Sequence, residues 1–168
     1  MARRVAQWLD RHLWVIPLLV FLAIEVALVG IRIFDTDKPL LASVDMENRK
    51  EIYSSLTGSS SGLLGFALAA VAIMAAFGRR GVSTQESRDR ENALADARVG
   101  ISKVLLATSV FLMVILVAAT VAIGIDDKKA GSFTLTSVIT SAAVSSLVGL
   151  MVSGAGLTLS LMERSRDS

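Results

Sequence analysis

Three stretches without a charged side chain dominate this 168-residue chain: 27 residues from Ile52 to Gly78, 22 from Val104 to Ile125 and 33 from Ala130 to Met162. An apolar run of about 18 or more residues with few or no charges is long enough to cross the hydrocarbon of a bilayer as a helix. A fourth run, Leu13 to Ile31, is apolar apart from Glu25, and Arg32 closes it. The composition agrees, with 53% hydrophobic and only 19% charged residues, against about 25% charged in soluble chains. The expected fold class is an all-α membrane protein, a single-domain bundle of four transmembrane helices at 13–34, 52–78, 99–125 and 134–162. The lipid bilayer is its first partner.

The first span follows Arg3, Arg4 and Arg11, as a signal peptide would. Its apolar run continues for about 20 residues and ends without a small-x-small cleavage site, so it is expected to be retained. Upstream, Val5, Trp8, Leu9 and His12 share one helical face, flanked by the arginines. Residues 3–12 therefore read as an amphipathic helix in the headgroup region, with Trp8 and Trp14 in the aromatic belt. Pro17 fits the first turn of the span, where its missing N–H would be unpaired in any case.

Orientation follows from Lys and Arg near the span ends. The amino-terminal segment, the 79–98 connection and the tail together carry ten of them, and the two opposite loops carry five. The positive-inside rule then places both termini on the cytoplasmic side of a plasma membrane, which agrees with an even number of spans. Two helices should project beyond the bilayer. Ser83-Thr84-Gln85-Glu86 has the form of a capping box, and no proline follows before Gly124. About 40 residues at 1.5 Å each give roughly 60 Å, twice the hydrocarbon thickness. The stripe Leu94, Ala97, Ile101 and Val104 should give the projecting part a packing face, and residues 84–98 are the expected docking site for a cytoplasmic protein. Ser43 is placed to cap a helix running through Glu47 and Lys50 into the second span.

Small residues form two ladders at i+4 spacing: Ser137, Ser141, Ser145, Gly149 and Ser153 in span 4, and Thr57, Ser61, Gly65 and Ala69 in span 2, with Gly58 and Gly62 alongside. Between helices in lipid, close backbone approach at small-xxx-small ridges supplies much of the association. The ladders are expected either to pack spans 2 and 4 together or to form the seam or hydroxyl-lined pore of a homo-oligomer. The halves also share faint likenesses. Val20-Phe21-Leu22 recurs as Val110-Phe111-Leu112, and 61–66 resembles 145–150. That pattern suggests a parallel repeat of a two-helix hairpin.

Glu25 is the chemically distinctive residue. A charge at the centre of a span costs at least about 2.5–3.5 kcal/mol on insertion scales, and intramembrane acids mark ion or proton sites. By depth, Ser145, Ser146 and Thr108 are its candidate partners in a proton- or cation-binding site. The competing expectation is a protonated Glu25 that only locks one helix to another, or one that faces a hydrated oligomer axis. Arg32 lies two turns away, within reach of a water chain.

Other chemistry is poorly provided for. There is no Cys and a single His, so thiolate, disulfide and multi-histidine sites are excluded, and no metal or cofactor is expected. No phosphate-binding glycine motif is present, and the net charge of +2 gives no reason to expect nucleic-acid binding. The chain is not expected to be an enzyme. In size and layout it resembles the compact multi-span membrane components of bacterial anti-phage and toxin-immunity systems, which implies a pore-forming or membrane-effector role. Four spans with an acid, Glu25, in the first also resemble small multidrug resistance transporters. That resemblance implies a carboxylate binding both proton and substrate, although this chain is longer and has only Phe21 as an aromatic neighbour of the acid. A non-transporting scaffold subunit is the third expectation.

Overall fold

The computed structural model describes residues 13–34, 44–76, 85–125 and 132–166. Four helices account for nearly all of them: α1 Val15–Phe34, α2 Met46–Ala76, α3 Gln85–Ile125 and α4 Phe133–Arg166. Each is long and apolar enough to cross a membrane, and there is no strand among the described residues. The amphipathic segment 3–12 and the Ser83 capping box lie outside the described residues.

Local chemistry explains the helix starts. Pro17 sits in the first turn of α1, as its missing N–H allows, and the Ile16 N–H bonds Leu13 O at 3.1 Å. Ser43 lies outside the described residues, and α2 begins at Met46. Asp45 is the capping residue: its carboxylate accepts the Met46 N–H at 2.8 Å, and its C=O accepts the Arg49 N–H at 3.0 Å. Asp is among the residues preferred at a helix N-cap. α3 is one continuous helix of 41 residues, roughly 60 Å at 1.5 Å per residue.

The helices pack as an open row rather than a closed ring. α3 lies between α2 and α4, α4 packs in turn on α1, and α1 has only a small contact with α3. α3 and α4 therefore form a packed hairpin, whereas α1 and α2 share no comparable interface. The likeness between the two halves does not extend to their packing.

α2 meets α3 along a heptad seam. Arg49, Tyr53, Ser60 and Ala67 are buried, and Leu56, Leu63, Ala70 and Met74 are half-buried at the intervening positions. Spacing of four and three residues keeps one face of a helix on its neighbour. On α3, Ile101, Leu105, Thr108, Leu112, Ile115, Ala119 and Ala122 continue the same period. Two apolar clusters fill the interfaces. One joins Tyr53 and Phe111 to Ile139 and Ala142, and the other joins Ala67 to Ile101 and Leu105. Of the expected stripe on the projecting part of α3, Ile101 and Val104 are buried and Ala97 is exposed; the side chain of Leu94 lies outside the described residues.

Large apolar side chains face outward along the spans, among them Leu22, Val26, Ile33, Phe66, Ile73, Val110, Val117 and Met151. Exposed apolar surface this extensive is untypical of a monomer in water and is normal for helices solvated by lipid tails.

Candidate functional site

The described residues bring the sequence candidates together on two surfaces. The first is the three-helix junction where α1, α3 and α4 meet. Gly149 marks its closest approach: a Cβ added there would overlap Thr108 Oγ1 and come within 3.3 Å of Pro17 Cγ. A second fixed point lies near the other end of α1, where the Arg32 guanidinium stacks over the Phe133 ring at 4.6 Å. Cation–π geometry of this kind satisfies an arginine at a helix end, and it aims Arg32 at α4 rather than at Glu25. Between the two, Phe21 and Phe111 stack with centroids 5.3 Å apart.

These contacts fix the register. α1 and α4 run antiparallel, with Pro17 beside Gly149 and Arg32 beside Phe133. At 1.5 Å per residue, Ser145 falls level with Phe21 and Ser141 level with Glu25. Thr108 stands at the Pro17 level, roughly two turns from Glu25, and forms no hydrogen bond with it.

The span 4 ladder is a buried surface, and Ser137, Ser141, Ser145, Ser146, Gly149 and Ser153 are all enclosed. Most of its hydroxyls bond their own helix. Ser137 donates to Thr134 O, Ser141 to Ser137 O, Ser146 to Ala143 O and Ser153 to Gly149 O, at 2.8–3.1 Å. On α3, Thr108 donates to Val104 O at 2.8 Å and Ser109 to Leu105 O at 2.9 Å. These side chains act as small spacers that satisfy themselves, which lets α3 and α1 approach. Ser145 is different. Its Oγ and Glu25 Oε1 are the two buried side-chain oxygens without a hydrogen-bond partner among the described residues.

The second surface is the outer face of α2. The ladders of spans 2 and 4 do not pack on each other, because α3 stands between the two helices; α2 reaches α4 through the Tyr53–Thr136 contact. Gly58, Ser61, Gly62 and Gly65 are exposed, and nothing lies within 4 Å of a Cβ built on any of these three glycines. The face opposite the α3 seam runs Glu51, Ser55, Gly58, Gly62, Gly65, Ala69, Ala72 and Ala76, all exposed. This is a second heptad series, and beyond Glu51 it contains only Ser, Gly and Ala.

A polar cluster near the start of α2 was not singled out from sequence. Arg49 is fully buried and donates from Nη1 to Val44 O at 3.0 Å. Tyr53 Oη lies 3.2 Å from Thr136 Oγ1. Thr136 gives its own proton to Ser132 O at 3.0 Å, so Tyr53 is the donor of that cross-helix bond. The available signal was position, since Arg49 and Tyr53 begin the buried heptad.

Fold and surfaces together define the class: an all-helical protein of four membrane-length helices packed as an open row. No protein-family model, no curated protein and no solved structure matches the chain.

Proposed function

We propose that this chain is the subunit of a homo-oligomeric membrane module, a pore-former or membrane effector, with the outer face of α2 as its subunit seam. The carrying observation is the exposed small-residue heptad from Ser55 to Ala76 on a helix whose opposite face is already occupied by α3. In lipid, a ridge of Gly, Ala and Ser gains dispersion contact only when another backbone comes close. α1 does not cover this ridge within the chain. A second copy presenting the same ridge satisfies it. Exposed Ser54, Ser59 and Ser61 flank the seam and would give a ring of such helices a hydroxyl-bearing wall. In this reading the long α3 extension, residues 85–98, stands in the cytoplasm as the attachment point for a protein partner, with both termini on the same side of a plasma membrane.

The chain has no cysteine, so one introduced at Ala69 reports a single position. In proteoliposomes loaded with potassium chloride, oxidation should cross-link Ala69→Cys into dimers, and the uncross-linked protein should release potassium. Absence of both cross-link and efflux would overturn the proposal. Cross-linking without efflux under any applied voltage would leave an oligomeric scaffold in place of a pore.

A further inference from the structure

We propose that Glu25 and Ser145 form an intramembrane proton site between α1 and α4, in which the carboxyl takes up one proton and shares a hydrogen bond with the Ser145 hydroxyl, directly or through one water. The site lies within one chain, so it stands or falls independently of the α2 seam.

Register and side-chain direction carry the argument. Pro17 beside Gly149 and Arg32 beside Phe133 make α1 and α4 antiparallel neighbours. In that register the Cα of Glu25 lies about one turn, roughly 6 Å, beyond the level of Ser145. Helical side chains lean towards the amino terminus of their own helix. For Glu25 that direction is towards Ser145, and for Ser145 on the antiparallel helix it is towards Glu25. Ser145 is one turn from Gly149, where α4 approaches Pro17 of α1 closely. The two residues that this direction would bring together carry the two buried side-chain oxygens without a hydrogen-bond partner among the described residues. Ser145 is completely enclosed, and every other hydroxyl in its ladder is bonded to its own helix.

The surroundings favour a proton over a metal cation. α3 has no ionisable side chain from Val104 to Ile125, and α4 has none from Phe133 to Met162. On α1 the nearest charge is Arg32, two turns away and engaged with Phe133; Lys103 is exposed near the opposite end of the α3 span. No fixed cation therefore faces the carboxyl from either packed helix. A metal cation such as calcium or magnesium needs about six oxygens, whereas helix carbonyls are committed to their own ladder and the site offers one carboxyl and one free hydroxyl. One proton neutralises the carboxyl and gives it the donor that Ser145 can meet.

Glu25 is half-buried beside lipid-facing Leu22 and Val26, so a carbodiimide dissolved in the bilayer can reach it. Such a reagent adds a protonated carboxyl: the carboxyl oxygen bonds the central carbon, the proton passes to nitrogen, and rearrangement leaves a stable N-acylurea. The full chain in phosphatidylcholine vesicles is labelled with dicyclohexylcarbodiimide across a pH series and read by intact and peptide mass. The expected result is one adduct on Glu25 that declines as pH rises. It should vanish in the isosteric Glu25→Gln, and its pH profile should be displaced in Ser145→Ala. Labelling of Glu25 that is independent of pH, or an unmoved profile in Ser145→Ala, overturns the proposal. Protection by sodium chloride but not choline chloride would overturn the proton assignment in favour of a metal cation.

Discussion

Gly62→Leu separates the subunit seam from the fold of the single chain. Nothing lies within 4 Å of a Cβ at Gly62, so the side chain meets no intrachain atom at its root. Leu is a strong helix former, whereas Gly is roughly 0.8–1 kcal/mol less favourable than Ala, so the isolated subunit should be as stable as wild type or slightly more so. In the proposed oligomer the same side chain stands between two backbones that approach through glycine. Overpacking costs about 1–3 kcal/mol per inserted side chain, equivalent to roughly 5- to 150-fold in dissociation constant at 1.4 kcal/mol per decade. Energy transfer between dyes attached through Ser132→Cys, exposed at the start of α4, measures association as the protein-to-lipid ratio is varied. Gly124→Leu is the control, since Gly124 is also exposed with nothing within 4 Å but lies on α3. The Gly62→Leu curve should move to higher protein density while Gly124→Leu overlays wild type. Coincidence of all three curves, or no transfer in wild type at any density, refutes the reasoning.

Gly149→Ala tests the opposite situation. Its methyl would overlap Thr108 Oγ1 and come within 3.3 Å of Pro17 Cγ, so Thr108 or the helices at the α1–α3–α4 junction must shift, at a cost of about 1–3 kcal/mol. Thermal unfolding in detergent should show the loss, and an unchanged midpoint would mean the helices are not in this register. Tyr53→Phe removes the donor to Thr136 and should cost about 0.6 kcal/mol, the average for a membrane cross-helix hydrogen bond, measurable in a double-mutant cycle with Thr136→Val. Arg49→Ala deletes a fully enclosed side chain and should destabilise by about 2–5 kcal/mol, as other large buried truncations do; denaturant unfolding in micelles checks it. Asp45→Ala removes the α2 cap at about 1 kcal/mol, read as faster amide exchange from Met46 to Arg49.

Charge spacing made the helices legible in sequence, and the continuity of α3 followed from the absence of proline and the scarcity of glycine over its length. Which side of each helix is buried was much less legible. In a water-soluble helix the polar face marks the outside, but in lipid the outside is as apolar as the core. Phe66 and Met151 face out while Ser60 and Ser141 are enclosed, the reverse of the pattern in water. The span 4 ladder was visible as a packing surface, but its neighbours, α3 and α1, were not. Arg49 was counted for its charge, and only its place in the heptad with Tyr53 marks it as buried. Glu25 was conspicuous because hydrocarbon makes any acid conspicuous. Its relation to Ser145 needed the Pro17–Gly149 and Arg32–Phe133 contacts to fix the register, and depth alone had also offered Thr108.

The two faces of α2 show what the open row implies. Both repeat at intervals of four and three, so both can hold a straight neighbour along their full length. The inner face carries Tyr53, Leu56, Leu63 and Met74, side chains that fill volume in the clusters shared with α3. The outer ridge from Ser55 to Ala76 carries only small residues, which permit close approach, with exposed Phe66, Leu68 and Ile73 beside it. A lipid chain meeting that ridge finds glycine backbone and serine hydroxyls in place of methyl and methylene surface. If the outer face merely met lipid, leucine or phenylalanine there would give more dispersion contact and a better helix, as on the lipid-facing sides of α1 and α3. Small residues kept in register over six turns are therefore best accounted for by another backbone, and among the described helices α3 occupies the opposite face of α2.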